Sequence, residues 1–334
     1  VTANLAERLL KHYVDNFRRL PWRAAPGEPS PDPYRVWLSE VMLQQTTVAT
    51  VIPRFTRFVE RWPTIDALAA ASDEDILSEW AGLGYYARAR NLIACAREVA
   101  RGRFPTIAVE LRRLPGLGDY TAAAIAAIAF GERVAVVDTN IARVIARLHA
   151  VGTPTPPQLR ELMLAMTPAV RPGDFAQAMM DLGATICRPK APLCSRCPLR
   201  DDCAALASGD PDTFPERRTR TARPHRHGTC YWTERDGHVW LVRRPAKGLF
   251  GGMAALPGPE WSSAAAAESS RTLGVVRHTF THFTLELRVD HGAEPVGDGW
   301  WQPIERLAEA GLPTLYRRAT EIALAARQAA RAAA

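Results

Sequence analysis

Glu40 lies in "VWLSEVMLQQTT", with Trp37, Val41 and Leu43 around it. On a solvated helix face it would be an ordinary surface charge. In apolar surroundings a carboxyl group keeps its proton to higher pH and can act as a general acid. Asp138 follows the apolar run of "GERVAVVDTNIARVIAR", at the head of a helix-patterned stretch and two residues before Asn140. Aspartate is favoured there as a helix cap. Cys187, Cys194, Cys197 and Cys203 are spaced C-x6-C-x2-C-x5-C. Four thiolates suit zinc, and they equally suit an iron–sulfur cluster. The spacing is tighter and less even than that of paired zinc knuckles, and leans towards the cluster. Cys95 and Cys230 stand alone and read as small buried apolar residues.

"LPGLGDYTAAAI" (114–125) offers a different chemistry. Gly116 and Gly118 stand before an alanine-rich run, where backbone can adopt turns and approach a ligand closely. The free N–H groups that open the following helix attract anions. An ordinary helix corner explains the motif equally well in isolation. Residues 86–200 carry 16 Lys or Arg against 8 Asp or Glu, so the expected anion is a DNA phosphate, bound without reading sequence.

The elements that must position these groups follow from periodicity. The chain has 334 residues, 47% of them apolar and 23% charged, with a formal net charge of +7. This is a globular composition with room for two domains. No apolar run is long enough to cross a bilayer, and the start, on Val1, has no signal-peptide pattern. The expectation is a soluble cytoplasmic protein with no membrane partner. Helical spacing recurs in 34–58, 64–82, 85–102, 121–130, 140–150 and 157–169. Residues 108–113 and 119–130 read as the two helices of a hairpin. Residues 208–226, rich in Pro, Asp and Arg, read as a linker. Beyond it, alternating stretches around Asp236-Gly237 and in "RHTFTHFTLELRVD", closed by an amphipathic helix, read as an α+β domain over 227–334.

Six motifs in one order carry a resemblance: "LPWR" (20–23), "WLSEVMLQQTTVATVIP" (37–53), "GLGYYARARNL" (82–92), "LPGLGDYTAAAI", "VVDTNIARV" (136–144) and the cysteine loop. Together they resemble the adenine DNA glycosylases of the MutY family, within the helix-hairpin-helix superfamily of base-excision enzymes. "KGLFGGMAALPG" (247–258) and "HTFTHFTLEL" (278–287) are similar to that family's C-terminal domain. The resemblance implies an all-α glycosylase domain over 1–207. Within it, 26–134 would form a six-helix module, and 1–25 with 135–207 a module carrying a [4Fe–4S] cluster on the four cysteines. A Nudix-like domain over 227–334 would follow. The implied partner is double-stranded DNA with adenine opposite 8-oxoguanine or guanine.

The resemblance also implies roles. Glu40 matches the general acid, Asp138 the carboxylate facing the sugar cation, and Asn140 its neighbour. Arg23 and Gln177 match residues around the flipped adenine. Leu43, Gln45 and Tyr85 match those that wedge into the duplex, and Gly116 and Gly118 the phosphate-binding hairpin. Phe280, Thr281 and His282 match the loop that reads 8-oxoguanine, in a stretch whose neighbouring side chains are expected on opposite faces. Members often have serine where Thr281 stands. Tyr120 occupies the position of the endonuclease III branch's nucleophilic lysine, and no lysine occurs between Lys11 and Lys190. That implies a monofunctional enzyme, with Tyr120 bonding Asp138 or the sugar. "GPEWSSAAAAESSRTLG" lacks the carboxylate cluster of a working Nudix hydrolase. The alternatives are an endonuclease III-like glycosylase/lyase for oxidised pyrimidines and a non-catalytic DNA-binding protein. Tyr120 and the extra domain argue against the first, and the presence of both Glu40 and Asp138 against the second. Removal of 227–334 is expected to weaken preference for 8-oxoguanine while sparing excision opposite guanine.

Overall fold

A computed structural model of the chain describes residues 2–216, 222–245, 248–264 and 269–333. The chain packs as two units, Val1–Ala71 with Asn91–Thr219, and Ser72–Arg90 with Arg220–Ala334. The first unit is helical. It holds α1 (Thr2–Asp15), α2 (Pro33–Leu43), α3 (Val48–Arg61) and α4 (Ile65–Ala70). The second unit takes α5 (Asp73–Glu79) and the first turn of α6 (Ala87–Ala100). The rest of the first unit is built from α7 (Ala108–Leu111), α8 (Asp119–Phe130), α9 (Thr139–Leu148), α10 (Pro156–Met166), α11 (Pro172–Asp181) and α12 (Ala204–Ala207).

Helix α8 is the central element, because Thr121 to Ala129 are all buried. Six of those nine residues are alanine, so α2, α7 and α11 can lie close against it. Gly173 opens α11 against α8, where a Cβ would stand 2.5 Å from the Ala127 carbonyl oxygen. Trp37, Leu38, Met42, Phe55, Phe58 and Phe175 fill the surrounding core. Burying each such side chain contributes roughly 1.5–3 kcal/mol.

Two periodic stretches prove to be helix pairs. In 34–58 the chain leaves α2 at Gln44 and re-enters at Thr47, whose hydroxyl caps α3. In 64–82 Ser72 caps α5 and divides the run. A capping hydroxyl competes with the helical backbone bonds and breaks a pattern that apolar spacing alone would continue. Helix α11 was absent from the periodic stretches; it begins on Pro172, directly after left-handed Arg171. The stretch read as linker contains a short helical turn, Pro211–Thr213, and its last two residues, His225 and Arg226, open the first strand of the C-terminal stretch.

The described part of the C-terminal stretch is α+β. Strands β1 (His225–Trp232), β2 (Glu234–Arg235), β3 (His238–Arg243), β4 (Ala254–Ala255), β5 (Thr272–Thr279), β6 (Thr284–His291) and β7 (Gly299–Pro303) precede α13 (Thr314–Ala333). One sheet runs β1-β6-β5, with β1 parallel and β5 antiparallel to β6. In the other, β2, β4 and β7 all pair antiparallel with β3. Asp236 and Gly237, at φ 49° and 74°, form the tight turn from β2 to β3. Trp232, Leu241, Leu287, Val289, Tyr316 and Ala319 lie in the shared core. Lys247, residues 217–221 of the linker stretch and 265–268 of the Nudix-signature stretch lie outside the described residues.

Candidate active site

The hairpin between α7 and α8 forms as its residue types require. Gly116 sits at φ +78°, and a Cβ there would lie 2.7 Å from the Asn91 Cβ, so both conformation and space demand glycine. Gly118 differs from expectation. Its φ of −84° and ψ of 178° are ordinary extended values. It caps α8 without a side chain, and nothing lies within 4 Å of where its Cβ would be, which leaves the helix N-terminus open to approach.

A pocket of about 790 Å³ adjoins this turn, and Gly116, Gly118, Tyr120, Glu40, Asp138 and Asn140 all line it. Glu40 is on the buried face of α2 and only 6% exposed. Burial pushes its carboxyl up to about 7, with Asp138 adding to the effect while the Tyr120 hydroxyl and Arg23 oppose it. The Tyr120 hydroxyl is placed to hydrogen-bond Glu40, and the charge of Asp138 also acts on it, where the expected partner was Asp138 or the sugar. Asp138 caps α9, its Oδ1 accepting from the Ile141 N–H at 2.6 Å. Its Oδ2 accepts from Asn140 Nδ2 at 3.1 Å. The cap and the functional reading are thus compatible: the cap fixes one oxygen and Asn140 orients the other.

Arg23 and Gln177 reach the same pocket. Arg23 forks onto Asp181, with Nη1 to Oδ2 at 2.6 Å and Nη2 to Oδ1 at 3.1 Å, and Arg18 Nη1 donates to Asp181 Oδ1 at 3.0 Å. Asp181 and Arg18 also line the pocket and were missed from sequence. The signal for Asp181 was its place one helical turn after Gln177, on the same face. Leu43 and Gln45 stand at the pocket where α2 ends, and exposed Gln45 has a left-handed backbone at φ 56°.

In the second unit Tyr85 is also left-handed, at φ 48°, and 49% exposed. Its hydroxyl bonds the Thr281 hydroxyl at 3.0 Å. Phe280, Thr281 and His282 do not continue an alternating strand. They form the reversal between β5 and β6, closed by Phe280 N–H donating to the Phe283 carbonyl at 2.8 Å. Phe280 packs its ring among Phe250, Trp261 and Phe283, while Thr281 and His282 are exposed. Antiparallel strands need a reversal at this point, and the turn replaces strict alternation of faces.

The four cysteines line one small cavity beside Arg147. Arg147 is 2% exposed. Its Nη1 donates to Cys187 Sγ at 3.4 Å and to the Arg188 carbonyl at 2.7 Å, and its Nη2 to Asp212 at 3.1 Å. Among the described residues, no group of three or more His, Cys, Asp or Glu is arranged to hold a metal ion. Burial raises the Cys194 and Cys197 thiols, with Arg147 opposing it at Cys194. The convergence of four thiols in one cavity still fits a four-thiolate cluster by donor set.

Residues 38–168 match the HhH-GPD superfamily base excision DNA repair protein family, and residues 228–321 match the NUDIX domain. A solved structure of a thermostable thymine-DNA glycosylase is similar to the chain at a TM-score of 0.56 and 28% identity, covering 62% of this chain and 97% of that one. Fold and matches together define a helix-hairpin-helix base-excision repair protein with an appended NUDIX domain. The adenine DNA glycosylase of Homo sapiens is 38% identical, covering 84% of this chain and 65% of the human protein. That of Mycobacterium tuberculosis (strain H37Rv) is 42% identical, covering 63% of this chain and 70% of the relative. The chain belongs to the adenine DNA glycosylase family, and it spans just under two thirds of the human relative's length.

Proposed function

We propose that this chain excises adenine facing 8-oxoguanine or guanine in duplex DNA, by flipping the base and hydrolysing its N-glycosidic bond. The observation that carries the reading is Glu40, buried and bonded to Tyr120, in one pocket with Asp138. Adenine is a poor leaving group until N7 is protonated, and Glu40 supplies that proton. The C1′–N9 bond then breaks with its electron pair going to adenine, and the Asp138 carboxylate faces the sugar cation. Water adds to C1′ and gives its proton to the Glu40 carboxylate, which restores the acid. No lysine is among the residues lining the pocket, and Tyr120 takes the place of an amine nucleophile, so the strand stays uncut.

Flipping the base costs a few kcal/mol of stacking and pairing. Leu43, Gln45 and Tyr85 wedge into the duplex, and Arg23 and Gln177 contact the flipped adenine. Thr281 and His282, presented by an anchored Phe280, read the opposite base. Cys187, Cys194, Cys197 and Cys203 hold a [4Fe–4S] cluster, which when bound staples the 187–203 loop and supplies an electron-carrying centre. The chain acts as a monomer. Single-turnover excision on duplexes with adenine opposite 8-oxoguanine, guanine, cytosine and thymine tests the reading. Release of adenine fastest opposite 8-oxoguanine, with an uncut strand, is expected. Strand cutting trapped by borohydride, or excision of an oxidised pyrimidine in adenine's place, would overturn it.

A further inference from the structure

Thr121 is the polar exception in the buried run "TAAAIAAIA" of α8, and only 3% exposed. Valine would fill the same volume there without a hydroxyl to satisfy, so packing gives no reason for threonine. Its Oγ1 accepts from the Gln44 Nε2 at 3.2 Å. Gln44 is the first residue after α2, and Gln45, next to it, takes the left-handed backbone that is uncommon outside glycine. Four residues, 44–47, separate α2 from α3, and Thr46 folds back on the turn through N–H to the Leu43 carbonyl at 3.2 Å.

Glu40 and Gln44 lie one turn apart, and Tyr120 and Thr121 are adjacent on α8. The first turn of α8 therefore grips the α2 side at two points, through Tyr120 to Glu40 and through Thr121 to Gln44. The first grip sits on the proton donor. The second lines the same pocket and sits at the root of the turn carrying Leu43 and Gln45.

We infer that the Gln44–Thr121 bond anchors the strand-opening turn, making these two residues positioning residues for base extrusion and not for bond cleavage. The inference rests on the proposed role of Leu43 and Gln45. A side chain fixed to the buried helix keeps Gln45 in its strained conformation when the duplex pushes back. Without that bond the turn relaxes, and the cost falls only where a paired base must be forced out.

The test compares two duplexes in single turnover: adenine opposite guanine, and adenine opposite a stable abasic-site analogue, where it is already unpaired. Thr121→Val and, at the half-buried partner, Gln44→Met are expected to slow the first reaction about tenfold and the second less than about twofold. Thr121→Ser, which keeps the hydroxyl, restores the parent rate on the first. The fluorescence rise of 2-aminopurine opposite guanine, which follows extrusion without cleavage, falls in parallel. Equal slowing on both duplexes, no slowing on either, or an unchanged fluorescence signal would overturn the anchor. A parent protein that excises from neither duplex would defeat the proposed function, and the fluorescence arm would still decide the anchor.

Discussion

Glu40 carries two opposed demands. Its raised carboxyl keeps a transferable proton near neutral pH, and burial is the main cause. Excision is therefore expected to decline as pH rises through about 7, because the acid form is lost; a profile flat from pH 5.5 to 8.5 would remove Glu40 from the role. The same shift acts on stability. The folded chain holds this proton more tightly than the unfolded chain, whose carboxyl has its ordinary value of 4.5. Stability from Glu40 is fully present below 4.5 and is lost as pH rises through about 7. Glu40→Gln should thus melt higher than the parent at pH 8, by an amount that shrinks towards pH 5, while excising adenine at least about a hundredfold more slowly. Asp138→Asn should lose roughly 10²–10³ in rate, as for other lost transition-state charge partners, with DNA affinity retained. Single-turnover rates beside binding isotherms check both.

At the scale of elements, the hairpin and the cysteine loop make separable predictions. Gly116→Ala forces a side chain against Asn91 at a positive φ, and should cost about 1–3 kcal/mol in denaturant unfolding. DNA affinity should fall alike for matched and mispaired duplexes, because a phosphate contact reads no sequence. The purified chain should hold about four iron and four sulfide with broad visible absorption, and Cys197→Ala should lose most of both; stoichiometric zinc without iron would replace the cluster assignment. The hairpin was legible in the sequence because Pro, Gly and a run of alanine mark turn and helix locally. Glu40 and Asp138 were legible for a similar reason, as carboxylates flanked by apolar residues. Their partners were less so. The Tyr120–Glu40 bond and the Arg18–Asp181–Arg23 group join residues 80 to 163 apart in the chain, and such pairing depends on how helices pack rather than on local pattern. Phe280 shows the opposite failure: a real alternation on either side hid the turn between.

At the scale of the molecule, Phe280→Ala with His282→Ala should lower the preference for adenine opposite 8-oxoguanine over guanine by about ten- to a hundredfold, the range of one good discriminating contact. Ratios of single-turnover rates measure it, and an unchanged ratio would move lesion reading elsewhere. Truncation at 227 is a blunter tool than the linear sequence suggests. Ser72–Arg90 packs with the C-terminal unit, where Arg90 Nη1 donates to the Gly251 carbonyl at 2.6 Å and Tyr85 bonds Thr281. Without residues 227–334 that segment loses those partners, and excision opposite guanine should fall along with discrimination. The same interleaving sets a rule for recombination. A chimaera that joins this helical domain to another family member's C-terminal domain at the linker leaves residues 72–90 facing a foreign surface. The natural crossover unit is discontinuous, and a graft that carries 72–90 with its own C-terminal partner exchanges one coherent piece.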